Sequence, residues 1–407
     1  DSSDFPADVF SVDERRQGAI VLHIVLGLYC FIVIAFVCND YFLPSVDCIC
    51  QDLKLSKDVG GATFMAFATS APELFVNVIG TFLTESDLGV GTVVGSAVCN
   101  CLAVTACGGL AAATAIPLGV WPLCRDCLIY MVVVGVLTAV LWDGRIEWYE
   151  ALVLLLLYVL YCVVLFCQKR IYALGRFFYH KMSFRKKEEE EEWTVESVWK
   201  LPRGRKVFFQ AWWAFCWPVS FCLQYTVPDC KRHRNIYPLT FLVCIIWIAV
   251  TSYLVSWMMT LLGETFGISD SVMGLTLVAI GGSMPEMSSS VINARQGIGS
   301  MTISNALGGN TLDILLSLGL PWFIKTLLPS ALHGGPVLIE SPGLVYNNAA
   351  QLACVAVLFV AAASNKFRMD RKLGGACLVL YLLFIAFIVA VELDLFHFDP
   401  PHPPVCS

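Results

Sequence analysis

Charge is what this sequence has least of. Of 407 residues, 14% are charged and 57% are hydrophobic. A soluble domain carries about a quarter charged residues, so an ordinary soluble globular domain is excluded. There is no P-loop, no HExxH and no nucleophile elbow, which removes the common nucleotide-hydrolase, zinc-protease and serine-hydrolase classes. No nucleic-acid partner is expected. The net charge of −6 says little more, because charge in such a chain sits in loops and is read by side. Cysteine, by contrast, is abundant at 18 residues. Most lie inside apolar runs (Cys30, Cys107, Cys162, Cys244, Cys354, Cys377), where the thiol behaves as a small hydrophobe. Cys124-Arg-Asp-Cys127 and the pair Cys48 and Cys50 fall short of the paired spacing of a zinc site. The polar opening, DSSDFPADVF, has no initial methionine and reads as a mature or trimmed start, with which a removed leader is compatible.

What is present is a series of apolar segments of membrane-spanning length, which takes roughly 20 residues per helix. They fall at about 17–38, 58–84, 87–110, 123–142, 147–167, 237–262, 270–294, 300–328, 345–364 and 373–393. The expected fold is therefore an all-α polytopic membrane protein of ten helices in two sets of five. One further run, "FFQAWWAFCWPVSFCLQYTV", is rich in tryptophan, which prefers membrane–water interfaces. It is read as an interfacial or re-entrant helix. The positive-inside rule agrees: with ten spans and the first residues outside, only Arg15, Arg16, Arg145 and Lys325 of all the basic residues fall outside. The expected organisation is an outer segment 1–16, a first five-helix set 17–167 and a cytoplasmic loop 168–236 holding the interfacial helix at about 208–226. A second set 237–393 and an outer tail 394–407 follow. The central loop is basic, then acidic over Glu188–Glu192, and reads as a solvated linker. Its basic part is also a candidate lipid-surface contact.

Ser70-Ala71-Pro72-Glu73 and Ser283-Met284-Pro285-Glu286 lie 213 residues apart. With no gap, Gly95-Ser96-Ala97-Val98-Cys99-Asn100 falls on Gly308-Gly309-Asn310-Thr311-Leu312-Asp313, and Ala66 falls on Ala279. Five helices separate the copies, an odd number, so they enter the membrane from opposite sides. Such inverted repeats place a binding site at the midplane, where broken helices meet. Ser-x-Pro-Glu is also a capping box, with the serine capping and the glutamate at the third helical position. A cap contributes typically about 1 kcal/mol, whereas a charge at mid-bilayer costs roughly 2.5–3.5 kcal/mol. Capping alone does not justify the carboxylates.

Glu73, Glu286 and Asp313 have no lysine or arginine at their depth, and unpaired buried charge is expensive. A cation must neutralise them. The donors nearby are oxygens: Thr69, Ser70, Asn77, Ser96 and Asn100 in one copy, and Ser283, Ser290, Asn305 and Asn310 in the other. Hard cations such as Ca²⁺, Na⁺ or K⁺ suit this set. Three carboxylates balance one divalent and one monovalent ion. Gly91, Gly95, Gly308 and Gly309 allow close backbone approach.

At these residues the chain resembles a known family. "GATFMAFATSAPELF", "GVGTVVGSAVCN", "VMGLTLVAIGGSMPE" and "GGNTLDILLSLGLPWFIKT" are similar to the two α-repeats of the potassium-dependent sodium/calcium exchangers, in the cation/calcium exchanger superfamily. The resemblance covers nearly the whole chain outside 168–206. It implies exchange of Na⁺ for Ca²⁺ plus K⁺ by alternating access, with these ions as cargo, no cofactor, and membrane lipid as the other partner. It implies Glu73 and Glu286 as the central Ca²⁺/Na⁺ carboxylates. Thr69, Ser70 and the carbonyls of Ala66 and Ala279 become Na⁺ ligands, Ser96 and Asn100 further ligands, and Asp313 the acid tied to K⁺. Ser283, Asn310 and Gly282 complete the candidate set. The resemblance places the chain in the plasma membrane or an organelle membrane. Gly282, Gly309, Glu286 and Cys99 depart from the family pattern, which carries Thr, Ser, Asp and Phe there. A weakened second-copy Na⁺ site is expected.

Other readings remain open at this stage. A potassium-independent or cation/proton exchanger uses the same residues. A channel wants symmetric oligomers or four-fold repeats. An intramembrane protease would need Asp126 and Asp313 together, and they belong to different depths.

Overall fold

The computed structural model describes residues 5–53, 66–112, 115–176, 207–230, 234–296, 299–328, 335–339 and 343–392. Nearly all of this is helix. In hydrocarbon every backbone N–H and C=O must be satisfied within the chain, and a helix does so locally. Among the described residues, seven helices are long and apolar enough to cross a membrane: Val12–Asp52, Leu88–Ala111, Leu123–Val140, Arg234–Phe266, Ala306–Leu327, Gly343–Ser364 and Arg371–Val391. Three shorter apolar helices are Ala71–Phe82, Trp148–Val164 and Asp270–Gly282. Each of the ten apolar segments read from the sequence carries one of these helices. The start of the second segment (58–65), Lys54, Lys57 and Asn305's side chain lie outside the described residues, as does 177–206 of the central loop. Outward faces are apolar: Val21, Leu22 and Leu28 on the first helix and Leu382 and Leu383 on the last are more than half exposed. Such contiguous apolar surface is rare on soluble monomers and suits a lipid solvent.

Two hydrophobic cores hold the bundle. One gathers Tyr130, Leu137, Leu154, Ile314, Trp322 and Leu344. The other gathers Phe42, Leu223, Ile248, Val255 and Leu262. The tryptophan-rich run forms a helix, Val207–Thr226. It packs on the first helix, with Phe215 edge-on to Tyr29 at 5.5 Å and Leu223 fully buried.

Both Pro-Glu steps interrupt a helix. Ala66–Thr69 and Ala71–Phe82 meet at Ser70, with φ −89° and ψ 2°. Ala279–Gly282 and Met284–Gln296 meet at Ser283, with φ −84° and ψ 3°. The cause is local. Pro72 and Pro285 have no N–H to offer the carbonyls of Ala68 and Gly281. Helical bonding restarts at Leu74 N–H to Ser70 O, 3.1 Å, and Met287 N–H to Ser283 O, 3.0 Å. Each following helix widens by one residue per turn, at Cys99–Val104 and Asp313–Leu318. Wide turns of this type concentrate at functional sites.

Cross-bundle hydrogen bonds follow the same 213-residue shift. Asn77 Nδ2 donates to Ser317 O at 2.6 Å, and Ser290 Oγ donates to Val104 O at 2.8 Å. Adding the shift to 77 and subtracting it from 317 turns the first pair into the second. Asn310 Nδ2 donates to Ala97 O at 2.9 Å, and these two residues are themselves the shift apart. Two short antiparallel pairings tie the connections: Ile116–Pro117 with Arg368–Met369, and Arg145–Ile146 with Val337–Leu338.

The helices Leu88–Ala111 and Asp270–Gly282 touch backbone to backbone. A Cβ on Gly95 would lie 2.5 Å from Leu275 O, and one on Gly91 would lie 2.6 Å from Ser271 O. Small residues permit this in membrane bundles.

Candidate cation site

The site is built on the two breaks and the two wide turns. Ser70, Glu73, Asn100, Ser283 and Asp313 are all buried, whereas Glu286 is half-buried. Ser70 makes no capping bond to its helix, so the capping reading of the motif does not apply to this copy. Its hydroxyl bonds to Asp313, from the other copy. Glu73 is in turn close enough to Asp313 and Glu286 to be repelled by both. The three carboxylates are thus brought together, although far apart in sequence.

They are not neutralised by the protein. Glu73 Oε2, Glu286 Oε2 and Asp313 Oδ1 are buried without a hydrogen-bond partner, as are Asn100 Oδ1 and Ser283 Oγ. Among the described residues, no ion pair involves the three acids. Orphaned acceptors at this density carry a desolvation penalty of about 1–3 kcal/mol each, more for charged groups. All five are hard oxygens, the donor set for an alkali or alkaline-earth cation. Among the described residues, no three His, Cys, Asp or Glu side chains stand at metal-ligand spacing. A cation here must draw on carbonyls, hydroxyls and amides as well as carboxylates. The described cysteines, Cys48, Cys50, Cys124 and Cys127 among them, are free thiols.

The remaining predicted ligands divide. Ser96 is fully buried, and its hydroxyl donates to Val93 O at 3.2 Å, leaving its lone pairs free to face an ion. Asn310 is occupied as a strut: it donates to Ala97 O and to Cys101 Sγ and accepts from Asn100 Nδ2 at 3.1 Å. That bond aims the Asn100 carbonyl oxygen away from Asn310 and leaves it unpartnered. The Ala279 carbonyl accepts the Ser283 N–H at 3.1 Å, and its second lone pair is spare. Ala66 opens the described part of its helix. Thr69 is exposed, unlike the other hydroxyl candidates. At Gly282 a Cβ would stand 3.3 Å from Glu73 Oε1, so the second break lies directly against the carboxylate of the first. A Cβ on Gly309 would meet no other part of the protein within 4 Å.

Two charged residues outside the predicted site are also buried. Asp126 lies beside Arg125 at 2.6 Å. Lys325 is only 7% exposed. Its Nζ holds Thr81 O and Glu85 Oε1, both at 2.8 Å. Beside it is a cavity of about 330 Å³ lined by Asn77, Glu85, Asp87 and Trp322, among others. Sequence gave no sign of this contact, because the partners lie on different copies.

The sodium/calcium exchanger protein family model matches residues 23–167 and 236–390. The chain belongs to the sodium/calcium exchanger protein family. The two matched blocks leave out 168–235, the stretch read as a central loop. Among relatives of this exchanger chain, sodium/potassium/calcium exchanger 5 of Homo sapiens is 35% identical over 97% of this chain and 88% of its own length. Sodium/potassium/calcium exchanger 4 of Homo sapiens is 33% identical over 97% and 85%. Exchanger 3 of the same species is 31% identical over 99% and 85%. The solved sodium-calcium exchanger NCX_Mj shares the fold. Its TM-score is 0.51 at 20% identity, covering 90% of this chain and 99% of that one. With its apolar helices and these relatives, the chain is a membrane protein.

Proposed function

We propose that this protein is a secondary antiporter that exchanges sodium for calcium plus potassium, extruding calcium from the cytosol across the plasma membrane by alternating access. The observation that carries the reading is the set of three carboxylates with buried, unpartnered oxygens, drawn from both Pro-Glu breaks and a wide turn, with no basic partner among the described residues. Their three negative charges match one Ca²⁺ and one K⁺, and the same oxygens suit Na⁺ on the return. The names of the relatives, sodium/potassium/calcium exchangers, support potassium as a partner ion. In this reading Glu73 and Glu286 hold calcium. Asp313 binds potassium, and Ser70, Ser283, Ser96, Asn100 and the freed carbonyls complete the shells.

The site lies within ten spans in two inverted five-helix repeats. The reciprocal bonds Asn77–Ser317 and Ser290–Val104 support this, because a two-fold axis makes each contact occur twice. The self-paired Ala97 and Asn310 mark where that axis passes. Contacts between connections support the sidedness. Arg15 pairs with Glu264 at 2.8 Å, and Arg234 pairs with Asp52 at 3.0 Å. Lys325 pairs with Glu85 at 2.8 Å. With both strand pairings, every such link joins segments assigned to one side by the positive-inside count.

The test is calcium uptake into sodium-loaded vesicles with and without external potassium, for wild type, Glu73→Gln and Asp313→Asn. Glu73→Gln keeps the shape and removes the charge, and uptake is expected to vanish. Asp313→Asn is expected to retain uptake but lose its dependence on potassium. Uptake that survives Glu73→Gln sinks the site. Wild-type uptake indifferent to potassium selects the potassium-independent exchanger instead.

A further inference from the structure

Two hydrogen bonds join the carboxylate-bearing half-helices to the wide turns, and both follow one rule. Asn77 stands four residues after Glu73, on helix Ala71–Phe82. Its Nδ2 donates at 2.6 Å to Ser317 O, and Ser317 stands four residues after Asp313 on the wide turn Asp313–Leu318. Ser290 stands four residues after Glu286, on helix Met284–Gln296. Its Oγ donates at 2.8 Å to Val104 O, and Val104 stands four residues after Asn100 on the wide turn Cys99–Val104. Residues four apart share one face of a helix. Each bond therefore lies about one turn beyond a proposed ligand on both segments it joins: Glu73 with Asp313, and Glu286 with Asn100. All four bonded residues are buried. Local sequence prepares each bond. Ser317 O has no N–H four residues on, because that residue is Pro321. A Cβ on Gly108 would collide with Ser290 Oγ, and one on Gly89 would stand 2.5 Å from Asn77 Oδ1. The donors differ in reach: asparagine carries its nitrogen one atom farther from the backbone than serine carries its hydroxyl oxygen.

Resting on the exchanger reading above, we infer that Asn77 and Ser290 are positioning residues that set ion selectivity. The Asn77 bond fixes the spacing of Glu73 and Asp313 for potassium, and the Ser290 bond fixes the spacing of Glu286 and Asn100 for calcium. Each acts through the ligands one turn away. The longer donor serves the side given to potassium, the larger ion. Supporting bonds of this kind govern affinity, because a site binds well only while its ligands hold their geometry. Each bond also ties one copy to the other, so the spacing it sets lies between a ligand of each.

The experiment uses the full chain, purified and reconstituted in liposomes. Sodium-driven calcium uptake is titrated with potassium at fixed calcium, and with calcium at fixed potassium, in wild type, Asn77→Ser, Ser290→Ala and Pro321→Ala. Asn77→Ser puts the shorter donor of the second copy into the first. Loss of a supporting group weakens metal binding by about 10–100-fold, so the half-activating potassium concentration should rise by about tenfold or more, with a smaller change for calcium. Ser290→Ala should shift calcium more than potassium. Pro321→Ala returns to Ser317 O an N–H from its own helix. It should shift potassium in the same direction as Asn77→Ser without loss of stability, and it decides the matter where Asn77→Ser does not fold. Equal shifts for the two ions, or unchanged half-concentrations whatever the stability, leave the bonds structural and overturn the inference. In parallel, the rise of the denaturation midpoint with added potassium or calcium is read in detergent, since a ligand stabilises the state it binds. If wild type shows no sodium-driven uptake, the exchanger reading fails, and the same ion-specific shifts in the midpoint curves decide the inference alone.

Discussion

Gly95→Ala is the smallest change that reaches the centre of this protein. The added Cβ would sit 2.5 Å from Leu275 O, 2.7 Å from Leu275 Cα and 2.8 Å from Ala279 Cβ. Carbon atoms rest comfortably at about 3.5–4.0 Å, so the two helices must part by about 1 Å. Backbone atoms supply the first two contacts, so no side chain can turn aside. Overpacking of this kind costs about 1–3 kcal/mol. The displacement also falls on the site. Ser96 follows Gly95 directly, and Ala279 opens the last turn before the Ser283 break. In enzymes a 1 Å misplacement costs about a hundredfold in rate. We expect Gly95→Ala to lower the denaturation midpoint in detergent and to reduce calcium uptake by one to two orders of magnitude. Gly135→Ala is the control. Nothing lies within 4 Å of its Cβ, and alanine is better than glycine inside a helix by about 1 kcal/mol. It should be neutral or stabilising, with uptake intact. If Gly95→Ala retained both the midpoint and the transport of wild type, the claim that these helices touch through Gly95 would be refuted.

Two more predictions concern the ends of the site. Lys325→Met removes the donor to the buried Thr81 carbonyl, an acceptor whose desolvation costs about 1–3 kcal/mol. The pair with Glu85 adds little, since that carboxylate is largely exposed and exposed pairs contribute about 0–1 kcal/mol. Thermal denaturation of the variant should show a loss that Glu85→Gln does not reproduce; equal losses would assign the stability to the ion pair. Gly282→Thr with Gly309→Ser restores two hydroxyls to the second copy. The first is placed beside Glu73 and the second in open space. Sodium activation of transport should then occur at several-fold lower concentration, and an unchanged sodium curve would show that these positions do not face the ion.

Much of the architecture was legible in the sequence. Scarcity of charge and segments of bilayer length lead to helices, because lipid leaves the backbone no other partner. The Pro-Glu steps located both breaks to the residue, because a missing N–H acts within one turn. The same carboxylates stood out because charge at membrane depth is too costly to keep without a use. What these local and compositional signals cannot carry is which atoms of the two copies meet. Only the folded chain showed that Asn310 braces Asn100, that Thr69 is exposed while Ser70 bonds to Asp313, and that Lys325 closes on Thr81. Hydropathy and proline act along the chain and are written in it. The direction of a donor across a helix interface is set by packing and by close glycine contacts, and it exists only once both halves are assembled.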